Sequence, residues 1–309
     1  MGGLGALYAI LGRVSRRQIA ASPSRAFDDI IRGYVMLDAS DQTQIQRSHG
    51  RAMVRFALRA GQMKLIDLAQ SGSAKAMLPR VFGPVPEAVF MNTSGGLTGG
   101  DSLEYRIQLD AGARLTATTQ TAERAYATNG DSAQVRVKVE VGAGGHLDWL
   151  PQETILFEAA NVTRKTEINL AEGASALLVE SLVLGRHAMG EVLRHARLTD
   201  HRMIRRQARP FWAETLRIDP DVLASAASPA ILGGAKAMAV IALVAQNAED
   251  AASALRVLPV QDGAEMAISG WNGRCLIRIT ASDGWPLRAQ IIRIITTLRA
   301  APMPRVWQC

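Results

Sequence analysis

Cysteine is almost missing from this sequence, with Cys275 and Cys309 the two present in 309 residues. Two cysteines cannot make a disulfide framework, so the expected setting is a reducing compartment, the cytoplasm. Aromatic residues are sparse too, at 5%. No stacking motif stands among them, so nucleic acid is not an expected partner, although Lys and Arg outnumber Asp and Glu by 35 to 28. The densest basic group, Arg194, Arg197, Arg202, Arg205 and Arg206 with His195 and His201 among them, suits an acidic protein surface or a solvated face. Long apolar runs are lacking as well. Ala237 to Ala248 is uncharged but falls far short of the roughly 20 residues that cross a bilayer. The apolar start, Leu4 to Leu11, has no positive charge before it and no small-residue cleavage site after it, so neither a membrane span nor a secretory signal is expected.

Familiar catalytic patterns are absent. There is no G-x-S-x-G elbow and no H-E-x-x-H pair, and no C-x-x-C pair accompanies His49, His146, His187, His195 and His201 to complete a zinc site. Thr93-Ser-Gly-Gly-Leu-Thr-Gly-Gly-Asp101 has the glycine spacing of a phosphate loop, but Asp101 stands where the phosphate-binding lysine belongs. Ser102 to Leu109 then alternates like a strand, whereas a phosphate loop must open a helix. Leu97 also defeats a G-x-G-x-x-G reading. What remains is a tight turn offering hydroxyls and one carboxylate, suited to close backbone packing or to a hard, oxygen-rich site.

What is present is a chain with 48% hydrophobic residues cut into short segments by Gly, Pro, Ser, Asn and Asp. Met53–Leu58, Lys64–Leu68, Val89–Met91, Leu103–Leu109 and Leu115–Thr119 read as strands. A unit of strand, glycine turn and strand recurs around Gly112, Gly144 and Gly173, which lie 32 and 29 residues apart. Such units bury their apolar faces by stacking, so the expected fold is mainly β: a layered, β-helix-like or solenoid body with a few helices. A β-sandwich whose hairpins share turn chemistry is the alternative. After Pro220 the texture becomes α+β, with strands at Ala237–Val244, Ala267–Trp271 and Cys275–Thr280, a short helix at Glu249–Leu258 and a longer one at Pro286–Leu298. Residues 1 to about 45 read as an extension, with Met36 as a possible alternative start. The main domain runs from 46 to 309, as a β body to about 220 and an α+β part from about 221.

Glu153 and Glu180 sit inside apolar segments, where a charge is costly unless paired or solvated. One reading is a structural ion pair with an arginine such as Arg124 or Arg186. The other is a polar interior passage with Asp101, Glu153 and Glu180 facing inward from successive layers, able to handle a weakly held divalent cation. A rival function uses Asp101 with Glu153 or Glu180 as the acid/base pair of a β-helical carbohydrate-active hydrolase.

Seven stretches carry a family resemblance: Gln46-Arg-Ser-His-Gly50, Gln70-Ser-Gly-Ser-Ala-Lys75, Asn92 to Asp101, Thr118 to Tyr126, Trp149-Leu-Pro-Gln-Glu-Thr154, Leu184 to Glu191 and Pro304-Arg-Val-Trp-Gln308. In order, from Gln46 to the C-terminus, they resemble the urease accessory protein UreD (UreH) family. The resemblance implies a β-rich, non-enzymatic maturation factor without a tightly bound cofactor. It implies binding to urease apoprotein subunits and action with UreF and the GTPase UreG to deliver nickel, held transiently, along an internal water-filled route. Carried onto this sequence, Asp101, Thr119, Gln120, Glu153, Glu180 and Arg186 are the polar residues that would line such a route or brace the fold. At Gln120-Thr121 this chain lacks a proline that the family often has.

Overall fold

Three coils are stacked on the glycine turns. The computed structural model describes residues 47–308, so the extension over 1 to 45 and the start near Met36 lie outside the described residues. Strand β5 (Ser102–Leu109) turns through Gly112 into β6 (Arg114–Thr119), β8 (Ala133–Val141) through Gly144 into β9 (His146–Leu150), and β11 (Asn161–Leu170) through Gly173 into β12 (Ser175–Leu184). The three glycines have φ of 69°, 65° and 65°, a left-handed backbone that a side chain would strain. The turns are tied coil to coil. The Gly112 amide donates to Ala143 O at 2.8 Å and the Gly144 amide to Glu172 O at 2.9 Å.

The two strands of a coil enter different sheets. β5, β8 and β11 pair in parallel in one, and β6, β9 and β12 in parallel in the other. A sandwich of hairpins would instead pair β5 with β6, so the structure is a two-sheet solenoid. Antiparallel hairpins finish the first sheet at both ends: β1 (His49–Arg59) with β2 (Gln62–Gly72), and β13 (Arg197–Arg206) with β14 (Arg209–Ile218). Its order is β14-β13-β11-β8-β5-β1-β2.

The second sheet has ten strands. β3 (Ala74–Met77) and β4 (Glu87–Asn92) continue it beyond β6, and the short β7 (Glu123–Ala125) and β10 (Thr154–Leu156) join it through β12. β15 (Ala237–Val244), β17 (Arg274–Ala281) and β16 (Ala264–Trp271) extend it antiparallel from β12, so the C-terminal α+β part prolongs the solenoid's own sheet. Three helices accompany these strands: α1 (Pro220–Ala224), α2 (Ala251–Arg256) and α3 (Gly284–Arg299).

Side-chain alternation on β12 explains the position of everything else. Ala176, Leu178, Leu182 and Leu184 face the core between the sheets, where Phe90, Tyr105 and Trp149 pack with ring centroids 4.9 to 6.5 Å apart. Leu177, Val179 and Val183 face a second core beneath α3, whose Leu287, Ile291, Ile294 and Ile295 are buried. A strand covered on both faces reads as a continuous apolar run, which is why Leu177 to Leu184 does. Each fully buried Leu or Ile of the α3 stripe contributes about 1.5–3 kcal/mol. The helix starts at Asp283, whose carboxylate accepts from the Gly284 amide at 2.6 Å. The indole of Trp307 latches the following segment to the solenoid, donating to Leu150 O at 3.0 Å and Thr118 Oγ1 at 3.2 Å.

Candidate functional site: a small cavity between the sheets

One layer of the interior between the sheets is charged. On β11, Val162, Arg164, Thr166, Ile168 and Leu170 point inward in period-two order, and on β13 Leu198, Asp200, Arg202 and Ile204 do the same. Arg164 is the centre of this layer. Its Nε and Nη2 donate to the two oxygens of Asp200 at 3.0 and 2.7 Å, and its Nη1 reaches Glu180 Oε2 at 2.7 Å and Thr154 Oγ1 at 3.1 Å. Glu180 Oε1 accepts from Thr166 Oγ1 at 3.0 Å and Trp149 Nε1 at 3.3 Å. Arg202 pairs with Asp200 and with Glu214, and Glu214 in turn with Arg278 at the surface. Burial would raise Asp200, but Arg164 and Arg202 outweigh it and hold it below its usual value. Burial pushes Glu180 up and Asp200 adds to that, against the pull of Arg164. Of the two acids sharing Arg164, Asp200 is therefore the stronger.

Above this layer lies a cavity of about 50 Å³ whose wall is mostly apolar, with Leu97, Leu103, Val135, Val137, Val162 and Leu198, and into which Glu180, Arg164, Thr154, Asn92, Glu123, Thr119, Gln120 and Thr121 bring polar groups. That is room for a few water molecules. Gln120 and Thr121 are exposed and mark its mouth, and Glu180 and Arg164 form its floor. Half-buried Glu123 lies between them, accepting from Asn92 Nδ2 at 3.2 Å. Burial raises its pKa to about 7; the Asn92 bond opposes this and the charge of Asp101 adds to it. Thr121 has φ of 58°, an unusual conformation for a β-branched residue. Proline, fixed near −65°, could not occupy that position.

The residues singled out from the sequence separate into two groups. Glu180, Thr119 and Gln120 line the cavity. Asp101 is buried but spent on the backbone, accepting from the Ser48 amide at 2.7 Å and the Thr98 amide at 2.8 Å, so it braces the glycine-rich turn. Close packing accounts for the glycines there, since a Cβ on Gly99 would lie 1.9 Å from Thr128 Oγ1 and 2.2 Å from Asp131 O. Glu153 meets Arg288 of α3 at 3.3 Å, and Arg186 forms a two-bond pair with Glu191 at 2.9 and 3.0 Å while its guanidinium lies over Phe157. The ion partners of Glu180 and Glu153 are thus Arg164 and Arg288, in place of Arg124 or Arg186. Among the described residues no three of His, Cys, Asp and Glu converge to hold a metal ion. With Asp101 capping a turn and Glu180 locked to Arg164, the carboxylate pair that a hydrolase would need does not share a cleft.

Glu123, Arg164 and Asp200 are the site residues that the sequence reading passed over. For Arg164 and Asp200 the signal was available, because each stands in an alternating strand at an apolar-face position. Glu123 lies within the stretch Thr118 to Tyr126 that carries the family resemblance, but no apolar alternation around it marks it as an interior acid.

Fold and site together define a two-sheet β-solenoid enclosing a small cavity whose mostly apolar wall carries a few polar and charged groups. Among the described residues no helix is long and apolar enough to cross a membrane. The family described as UreD urease accessory protein matches residues 48–308. A urease accessory protein UreD of Cereibacter sphaeroides is 56% identical over 264 residues, covering 85% of this chain and 96% of that protein. One of Paracoccus denitrificans is 49% identical over 273 residues, covering 88% and 96%, and one of Rhizobium leguminosarum is 41% identical over 273 residues, covering 88% and 99%. The chain belongs to the UreD urease accessory protein family.

Proposed function

We propose that this chain serves urease maturation in the cytoplasm by docking on urease apoprotein subunits with UreF and UreG. Nickel, as cargo, is handed on through the compartment between the sheets. The observation that carries this reading is the lining of the cavity, in which Glu123, Glu180, Asn92, Gln120, Thr119 and Thr154 offer carboxylate, amide and hydroxyl groups. Oxygen ligands hold a late first-row ion loosely enough to release it, where a His and Cys cluster would retain it. Glu123 is the receiving group, because a pKa near 7 leaves it ready to release its proton to water as a cation arrives.

The test is urease activation in cells carrying the urease and accessory proteins, with co-purification of the complex measured in parallel. Glu123→Gln is expected to lower activation severalfold with the complex intact. Full activation by that variant would overturn the passage, and failure of the unaltered chain to co-purify with urease subunits would overturn the docking.

A further inference from the structure

Two hairpin turns converge at the corner where β14 meets the end of the ten-stranded sheet. The β13–β14 turn places Gln207 and Ala208 at φ of 49° and 63°, and the β16–β17 turn places Asn272 and Gly273 at 46° and 75°. Their strand ends carry a stack of basic and aromatic side chains. Arg206 and Arg274 lie over the Phe211 ring at 4.3 and 3.9 Å from its centroid, and Arg274 also lies over Trp271 at 5.3 Å. The turns are fitted to each other: a Cβ at Gly273 would come within 3.5 Å of Arg206 Nη1 and 3.7 Å of Phe211 Cζ.

This cluster differs from the paired arginines beside it on the hairpin, although Arg197 and Arg217 at the hairpin's far end also have no carboxylate partner among the described residues. Arg202 has Asp200 and Glu214, and Arg205 has Glu167 at 3.3 Å, as Arg278 on β17 has Glu214. No carboxylate among the described residues pairs with Arg206, Arg209 or Arg274. Arg274 Nη1 donates to Phe211 O, while its buried Nε has no hydrogen-bond partner. Burial, with Arg206 adding, lowers Arg274 from its usual value, as expected of a guanidinium short of counter-charge. A guanidinium on an aromatic face still presents its N–H edge to a carboxylate.

We infer that the Arg206–Arg209–Phe211–Trp271–Arg274 corner is a docking site for an acidic polypeptide segment, with carboxylates meeting the guanidinium edges and an apolar side chain lying on half-exposed Trp271. Charge complementarity selects the occupant. Phe211 and Trp271, each lying under a guanidinium, together with three arginines that no carboxylate pairs, match a short acidic and apolar segment, whereas a nucleic acid would need a basic track continuing beyond the corner. The inference is independent of the nickel passage, since none of these residues lines the compartment.

Fluorescence anisotropy on the full chain, with a labelled peptide of glutamates around two leucines as probe, tests it. Arg206→Glu with Arg209→Glu is expected to weaken binding at least tenfold, while Arg80→Glu, an exposed charge reversal elsewhere, changes it less than twofold per site. Circular dichroism checks that each variant is folded. Trp271→Leu, which keeps the charges, is expected to cost severalfold. Equal weakening by Arg80→Glu, or tighter binding of a thymidine oligonucleotide than of the peptide, would overturn the assignment.

Discussion

The floor and the side of the interior cavity solve the same problem differently. On the floor, Glu180 and Asp200 share Arg164, and every oxygen of the pair has a donor. At the side, Glu123 has a single amide for company and stands within the influence of a second acid, Asp101. Burial therefore decides neither charge nor role. The number and geometry of the donors do, and the incompletely partnered carboxyl is the one whose proton is negotiable near neutral pH.

Removing Arg164 breaks the floor most severely. Arg164→Met leaves two buried acids without their shared cation and is expected to cost about 3–5 kcal/mol in denaturant unfolding. Adding Glu180→Gln and Asp200→Asn should recover part of that loss, because uncharged groups tolerate the apolar surroundings better. A loss below about 1 kcal/mol for Arg164→Met would place the floor among weak surface-type pairs and erase the contrast.

The side is probed by pH. Glu123 in the folded chain titrates near 7, above the ordinary glutamate value, so the folded state holds its proton more tightly than the unfolded chain does. Its contribution to stability is thus complete at acidic pH and is lost as pH rises through about 7. Allowing for its partial exposure, Glu123→Gln is expected to be more stable than the unaltered chain by about 1–2 kcal/mol at pH 8 and about equal to it at pH 4. Denaturant midpoints across that range measure the difference, and parallel pH profiles for the two proteins would show that Glu123 is as well solvated as a surface acid.

The smallest effect concerns the mouth. Thr121→Asn, which suits a left-handed backbone better, is expected to add about 1 kcal/mol. In a body of this size that raises the melting temperature by roughly 2–4 °C. An unchanged or lower value would mean that Thr121 is held without strain.

Sequence alone shows the periodic parts of this molecule well. The glycines at 112, 144 and 173 mark the coils because a left-handed turn has few other occupants, and Ala237–Val244 coincides with β15 because that strand is covered on both faces. Glu180 stands out for interrupting an apolar run. Its partner does not, since Arg164 lies on the preceding strand in the opposite sheet and the two meet only once the coil has closed. Asp101 illustrates the reverse limit. A carboxylate at the end of a glycine turn suits a cation and a pair of backbone amides equally, and the amides of Ser48 and Thr98 are what it meets.

The antiparallel hairpins at the two ends of the seven-stranded sheet bear on how the chain reaches this state at all. Five parallel strands joined through long coils are a topology of distant contacts, so folding should be slow, with each coil a template for the next and a bare edge exposed at every stage. β1–β2 and β13–β14 end that growth. Arg209, Pro210, Glu214 and Arg217 make β14 a poor edge for another strand to join, and on β2 Lys64 and Asp67 interrupt an edge that also exposes Leu65, Ile66 and Leu68. The hairpins are terminators of a polymerisation that takes place within a single chain.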